Sequence, residues 1–253
     1  MKVSVCMASF NRDPVVLRKV LESIYRQSPP FERDVIVVDD GSSFGAPEVC
    51  REFPVIYHRI ERLAKARNPS VARNVAYRLA SGDVIIAQSD DVVHQGNAIE
   101  KLANLLVDNL GSFVIATVFN CDNGVLKDVY TGEWGGQRRH VPLFFLGALW
   151  KSDLYAVGGN DEEFDSGHGN GGWEDKWFAK CLIEGRHLTP FYAGSVFGCH
   201  ISHERQSERA AKHSNMNLYH EKIGQAQSTG VWCSACGPWK VYDGATTLSA
   251  VSR

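Results

Sequence analysis

The first 110 residues alternate between short unbroken apolar runs and stretches in which apolar residues return every three or four positions. Val3, Val5, Cys6, Met7 and Ala8 read as a first buried strand, followed by the loop Ser9-Phe10-Asn11-Arg12. Val16, Leu17, Val20, Leu21 and Ile24 then carry helical spacing, with Pro14 suited to the first turn and Asp13 as its N-cap. A second strand over residues 34–38 closes on Asp39-Asp40-Gly41-Ser42, and a short third covers 55–60. An amphipathic helix over 70–80, with Gly82 as its expected stop, leads to a fourth strand at 84–87. Ile99, Leu102, Leu105 and Leu106 mark one face of a helix over 98–110. This alternation predicts an α/β fold, a mostly parallel sheet with helices on both faces. Ligands of such sheets bind at the carboxyl ends of the strands, which gathers the polar tips 9–12, 39–42 and 90–91 along one edge.

Beyond residue 111 the alternation stops. Residues 113–119 read as a strand, 125–130 as its hairpin partner across Asn123-Gly124, and 143–150 as a strongly apolar segment. Residues 158–172, rich in Gly and acidic side chains, read as a loop, and the 165–172 part as a lid that closes over a ligand or an ordinary flexible loop. Trp177, Phe178, Cys181 and Leu182 form the buried stripe of a helix over 173–184, and 204–227 is polar and helix-prone. The division expected is a ligand-binding half at 1–110, a smaller second half at 111–205 and a helical or irregular extension at 206–253.

Composition narrows the function classes. The chain has 253 residues, 44% hydrophobic, with a formal net charge of -2. It can bury a sizeable core, and it lacks the overall basic field of a nucleic-acid binder. No apolar run reaches the roughly 20 residues of a membrane span, and the N-terminal stretch lacks the long apolar core of a signal peptide. Seven cysteines, an odd number without regular spacing, predict reduced thiols and a cytoplasmic location.

Two acidic pairs carry the candidate chemistry. Asp90-Asp91 follows Val84-Ile85-Ile86-Ala87, and adjacent carboxylates at the end of a buried strand repel unless solvent, a base or a cation offsets them. Their hard oxygens suit Mn2+ or Mg2+. Glu174-Asp175 follows Gly171-Gly172-Trp173, where a carboxylate can serve as general base on a hydroxyl or simply cap the following helix. Trp173 is either core or a ring that stacks on a sugar. Asp39 either forms a turn or accepts a hydrogen bond from a nucleobase imide. Arg73, near a helix start, is a surface charge or a phosphate ligand. His200 and His203 offer a third metal ligand. Cys233 and Cys236 resemble half of a zinc knuckle that His213, His220 or Cys199 would complete. Arg138-Arg139-His140 and the basic residues between 204 and 222, among them Arg205, leave a polyanionic or nucleic-acid acceptor open, although Glu204, Glu208 and Glu221 make a solvated helix the plainer reading.

In order and spacing these motifs resemble the family-two inverting glycosyltransferases of the GT-A fold, over approximately residues 3–205. Val3 to Arg12 is similar to that family's first strand and Asn-Arg loop, Val37-Val38-Asp39-Asp40-Gly41-Ser42 to its Val-Asp-Asp-Gly-Ser signature, and residues 68–74 to its Ala-Arg-Asn helix. Gly158-Gly159-Asn160-Asp161-Glu162-Glu163-Phe164 and Trp173-Glu174-Asp175 resemble the stretch before the acceptor site and the Trp-Glu-Asp motif of galactosyl- and N-acetylgalactosaminyltransferases. The resemblance implies a hexosyl- or N-acetylhexosaminyltransferase that moves a sugar from a nucleotide donor, a UDP-sugar by the family pattern, to a glycan or other hydroxyl acceptor. It implies that Ala8, Ser9 and Arg12 line the nucleotide pocket with Ser89 and Asp90, that Asp39 reads the base, and that Arg73 lies near the pyrophosphate. It further implies Asp90 and Asp91 as metal ligands with His203 or His200, Asp175 as base, Glu174 holding the acceptor, and Trp173 against a sugar ring. The chain departs from the family at Gln88, where the first Asp of the Asp-x-Asp motif normally stands. A nucleotidyltransferase would need a Gly-rich phosphate loop, and residues 9–13 contain no Gly. A sugar-nucleotide or glycan-binding protein without turnover is the other reading, kept open by Gln88 and opposed by the intact Glu174-Asp175 pair.

Overall fold

The structure is a computed structural model that describes residues 1–61, 68–122, 125–135, 137–138, 142–165, 171–202 and 209–239. Strand β1 (Lys2–Ser9), helix α1 (Pro14–Tyr25), β2 (Glu32–Asp39), α2 (Ala46–Cys50), β3 (Ile56–Arg59), α3 (Ser70–Leu79), β4 (Val84–Ser89), β5 (Val92–Gln95) and α4 (Ala98–Asp108) form the N-terminal part. Then come β6 (Ser112–Asp122), β7 (Val125–Thr131), the short β8 (Glu133–Trp134) and β9 (Gln137–Arg138), β10 (Leu146–Trp150), α5 (Lys151–Ala156), α6 (Glu174–Lys180), β11 (Thr189–Ile201) and α7 (Arg209–Thr229).

One sheet runs in the order β3-β2-β1-β4-β10-β6-β11-β5, with β7 paired to β6. The four strands β3, β2, β1 and β4 are parallel, as their alternation with helices predicts. Antiparallel β10 then separates β4 from β6, and β11 runs parallel to β6. Successive residues of each strand face opposite layers. Val3, Val5, Met7, Val35, Val37, Val84 and Ile86 pack against α1, α2 and α4. Cys6, Ile36, Val38, Ile85 and Ala87 pack against α3, α5 and α6. Burial on both faces explains why these strands read as continuous apolar runs. The α1 residues Leu17, Val20, Leu21 and Ile24 are fully buried, each contributing on the order of 1.5–3 kcal/mol.

Asp13 caps α1 by accepting from Val15 N at 2.7 Å. Gly82 acts differently from the helix stop expected: a Cβ there would lie 2.7 Å from Lys2 O and 2.8 Å from Ser4 N, so glycine permits close approach to β1. Helix α6 continues into a π-helical turn, Cys181–Gly185. The loop at 158–172 contains a 3-10 turn, Glu162–Phe164.

Strand β5 follows β4 in sequence after only the Asp90-Asp91 turn, yet it pairs with β11 at the far end of the strand order. The sheet is therefore curled, and the Asp90-Asp91 turn spans the curl. Helix α7 docks through Asn215, whose Nδ2 donates to Phe164 O at 3.0 Å and Gly172 O at 2.9 Å. Lys222 adds ion pairs to Asp161, at 2.9 Å, and to Glu163.

Two cysteine expectations change. Cys121 and Cys199 are joined in a disulfide across β6 and β11, so the thiols are not uniformly reduced and a cytoplasmic location cannot rest on that premise. Cys233 and Cys236 do not build a zinc knuckle: among the described residues no group of three or more His, Cys, Asp or Glu side chains is arranged to hold a metal by itself. The motif instead turns back on the 158–161 loop. Ser234 Oγ donates to Gly158 O at 2.8 Å, and Ala235 N donates to Asp161 Oδ2 at 3.0 Å. Trp239 packs edge-on to Tyr155.

Among the described residues no helix is long and apolar enough to cross a membrane. Outside the described residues lie His203, Arg205, Glu204 and Glu208, Asn123-Gly124, Arg139-His140, and residues 166–170 of the expected lid.

Candidate active site

The carboxyl ends of β1 and β4, the start of α3, the N-terminus of α6 and the end of β11 enclose a cavity of about 670 Å3. It brings together Ala8, Ser9, Arg12, Arg73, Ser89, Asp90, Asp91, Glu174, Asp175 and His200, ten of the residues expected from sequence. Two others lie elsewhere. Asp39 is fully buried and does not line the cavity; its Oδ1 accepts from Ser42 N at 2.7 Å and its Oδ2 from Tyr57 at 2.7 Å and Arg59 at 2.9 Å. Asp40 lines the cavity in its place. Trp173 lines an adjoining cleft with Lys176, Lys212, His213 and Met216.

Asp90 and Asp91 are both buried, and Arg12 answers their charge. Its Nη2 donates to Asp90 Oδ1 at 2.7 Å and to Asp91 Oδ2 at 2.9 Å. Burial opposes the guanidinium charge, but Asp90 and then Asp91 more than offset it, and the Arg12 pKa rises. Asp90 Oδ2 is buried without a hydrogen-bond partner.

The β5–β11 pairing sets His200 opposite Val92 and ties Ile201 N to Asp91 O at 2.9 Å. Asn120 fixes the imidazole. Its Nδ2 donates to Asp128 at 3.0 Å, so its Oδ1 is the atom that accepts from His200 Nδ1, also at 3.0 Å. Tyr130 stacks on the ring at 4.3 Å. His200 Nε2 is thereby turned toward Asp91 Oδ2, 3.7 Å away. A ring nitrogen facing a carboxylate is attractive only with a proton or a cation between them, and anchoring the other nitrogen on an amide oxygen is how metal-binding histidines are oriented. Together with the partnerless Asp90 oxygen, this donor set fits a hard divalent cation completed by phosphate oxygens.

Gln88 faces inward, into a closed neutral network. Its Nε2 donates to Val92 O at 3.0 Å, which fixes the amide and leaves Oε1 2.7 Å from His94 Nε2. His94 therefore carries its proton on Nε2 and accepts at Nδ1 from Gln27 Nε2, 2.9 Å away. Gln27 Oε1 accepts from Ile99 N at 2.9 Å. Burial, aided by the nearby Arg33 charge, lowers the His94 pKa to about 3. The residue that departs from the family pattern is thus committed to joining α1, β4, β5 and α4 behind the Asp90-Asp91 turn.

Glu174 and Asp175, which also line the cavity, start α6. Trp173 precedes them at a φ of 77°, left-handed for a bulky residue, which turns the chain sharply into the helix. Gly171 allows that turn to lie against α7, since a Cβ there would be 2.4 Å from Ala211 O. Arg73 Nη1 donates to Asp175 Oδ1 at 2.5 Å, and Asn68 Nδ2 donates to Glu174 Oε2 at 2.7 Å. Burial and then the neighbouring Asp175 charge push Glu174 up to about 7. Sequence reasoning missed Asn120, Tyr130 and Gln27. The strand ending Cys199-His200-Ile201 was the available signal, but Pro190, Gly194 and Gly198 obscured it.

The parallel strands and the carboxylates at their ends have the architecture of the GT-A glycosyltransferase fold. The sequence profile of glycosyl transferase family 2 matches residues 4–173, and the chain belongs to that family. It is 36% identical over 164 residues to YwdF, an uncharacterized glycosyltransferase of Bacillus subtilis, covering 61% of this chain and 60% of that one. The chain spans 60% of the length of YwdF and 45% of that of an uncharacterized glycosyltransferase of Mycoplasma pneumoniae to which it is 27% identical. The structure of Staphylococcus aureus TarS in complex with UDP superposes with a TM-score of 0.62 at 15% identity, covering 91% of this chain and 74% of that one. Mannosyltransferase PcManGT from Pyrobaculum calidifontis, in complex with GDP-Man and Mn2+, gives 0.60 at 17% identity, covering 88% and 64%. At these identities the superpositions speak for the fold.

Proposed function

We propose that this chain transfers a sugar, with inversion, from a nucleoside diphosphate donor to an acceptor hydroxyl. The observation that carries the reading is one cavity lined by both acidic pairs, Asp90-Asp91 and Glu174-Asp175. Residues 1–110 supply most of the donor side, 111–205 most of the acceptor side, and 206–253 the extension that includes α7. A uridine diphosphate sugar is the favoured donor by family resemblance, and the solved relatives include one complex with UDP and one with GDP-Man. Asp40, at the cavity wall, joins Asp39 as a residue to test for base recognition.

Asp90 and Asp91, with His200 turned toward them, would hold Mn2+ or Mg2+, which would supply positive charge to offset that of the leaving diphosphate. Asp175 takes the proton from the acceptor hydroxyl, whose oxygen bonds to the anomeric carbon as the bond from that carbon to the phosphate oxygen breaks. Attack from the face opposite the leaving group inverts the configuration. Arg73 holds Asp175 in place by donating to its Oδ1, while Asn68 orients Glu174 by donating to its Oε2.

The test is release of nucleoside diphosphate from a panel of nucleotide sugars, with Mn2+, with Mg2+ or with chelator. Metal-dependent release from one donor supports the reading and names the sugar. Binding of donors without release, across a panel of acceptors, would favour a protein that holds sugar nucleotides without turnover. No binding at all would overturn both.

A further inference from the structure

Arg12 occupies the place where the donor and its cation are expected to meet, and the manner of its contact matters. A guanidinium committed to structure commonly offers a carboxylate two parallel N–H groups. Here a single nitrogen, Nη2, reaches both Asp90 and Asp91, while Arg12 Nε is buried with no hydrogen-bond partner. The contact therefore places charge between the two carboxylates more than it satisfies the fork. The Arg12 side chain keeps 15% exposure, against 6% and 4% for the two acids, and it lines the cavity. Two adjacent buried carboxylates require a counter-charge, and Arg12 provides one before any ligand arrives.

We infer that Arg12 is a tethered competitor for the cation site: it pairs with both Asp90 and Asp91 in the resting protein, offsetting one of their two charges, and yields them when a nucleoside diphosphate offers its guanidinium another anion. The inference rests on the donor-and-metal reading above. Its consequence is that cation uptake is coupled to donor arrival, and coupling of this kind is reciprocal. Gln88 strengthens the effect. With a neutral amide at the first motif position, Arg12 offsets one of two carboxylate charges rather than one of three, and a free divalent ion meets a site whose charge is already half answered.

The experiment is a titration of Mn2+ followed by the electron paramagnetic resonance signal of the free ion, with Mn2+ alone, with UDP and with GDP. It uses the wild-type chain, Arg12→Met and Arg12→Gln, the latter two removing the charge with different stems. The wild type is expected to bind Mn2+ weakly alone and at least about tenfold more tightly with a nucleoside diphosphate, about 1.4 kcal/mol. Both variants should bind Mn2+ alone about tenfold more tightly than the wild type and gain less from nucleotide. A variant that merely damaged the site would bind less, so the direction separates competition from structural loss. Equal or weaker binding of Mn2+ alone by the variants, with nucleotide-dependent uptake intact in the wild type, would overturn the inference and leave the proposed function standing. No uptake by the wild type with either nucleotide would remove the metal reading and this inference with it.

Discussion

Acidification should expose the cost of keeping His94 neutral. Folded, the ring sits inside the Gln27–His94–Gln88 network with its pKa lowered to about 3, while its ordinary value is 6.5. Between those limits the unfolded chain holds a proton that the folded chain refuses. Stability therefore falls as pH drops through this window, and the contribution is fully retained above it. Each pH unit well inside the window is worth about 1.4 kcal/mol. Going from about pH 7 to about pH 5, the proton uptake of one such group integrates to about 2 kcal/mol. The assay is urea denaturation of the wild type and His94→Gln at both pH values, with the midpoint slopes checked for equality. The other titrating groups, Glu174 included, are common to both chains and cancel in the difference. The wild type should lose about 2 kcal/mol more than the variant on acidification. Equal losses would mean that His94 is already protonated in the fold, and the tautomer chain from Gln88 to Gln27 would be wrong.

Three further outcomes follow from the site and its supports. Asp175→Asn should lower the rate by about 10²–10⁴-fold while leaving UDP affinity unchanged by calorimetry; retained turnover would place the base elsewhere. The wild-type rate should climb as pH rises through about 7, where Glu174 ionises and adds a second negative charge beside Asp175; Glu174→Gln should lack that inflection, and its persistence would assign the titration to another group. Arg73→Met should destabilise the fold by about 3–5 kcal/mol, because it strands Asp175 and Glu174 in a buried setting; a loss below about 1 kcal/mol in denaturant would show that water reaches the pair.

The parts of the fold legible in sequence were those whose burial is complete. Strands β1, β2 and β4 are covered on both faces, so most of their residues had to be apolar, the buried Ser4 and Gln88 aside, and the runs named them. The Asp13-Pro14 start of α1 was equally plain, because capping is local chemistry. Strand β11 was not seen: its register shifts between Ala193 and Phe197, and Gly and Pro break the two-residue period. Missing β11 also hid the route by which His200 reaches Asp91, a contact between residues 109 positions apart that only strand pairing creates. At the site, residue types announced the carboxylate pairs and the family pattern named Arg12 and Arg73, whereas the pairing of those arginines with the acids, of Asn68 with Glu174 and of Asn120 with His200 emerges only from tertiary placement. Gln88 shows the limit most directly. In the sequence it is a missing carboxylate, and in the fold it is a hydrogen-bonding link with an occupation of its own.

The curl of the sheet bears on how this chain can be rebuilt. Strand β5 belongs by sequence to the first 110 residues, but its hydrogen-bonded neighbour is β11, from the second half. Exchanging one half for that of a relative would therefore graft a new β5 onto an old β11, and the seam between them is where His200 meets Asp91. Swapped chimeras intended to change the donor should transplant β5 and β11 together; otherwise the recombined protein inherits a mismatched edge at the very place it is meant to work. Modularity in this family member follows strand neighbours, and a cut at a convenient linker would sever it.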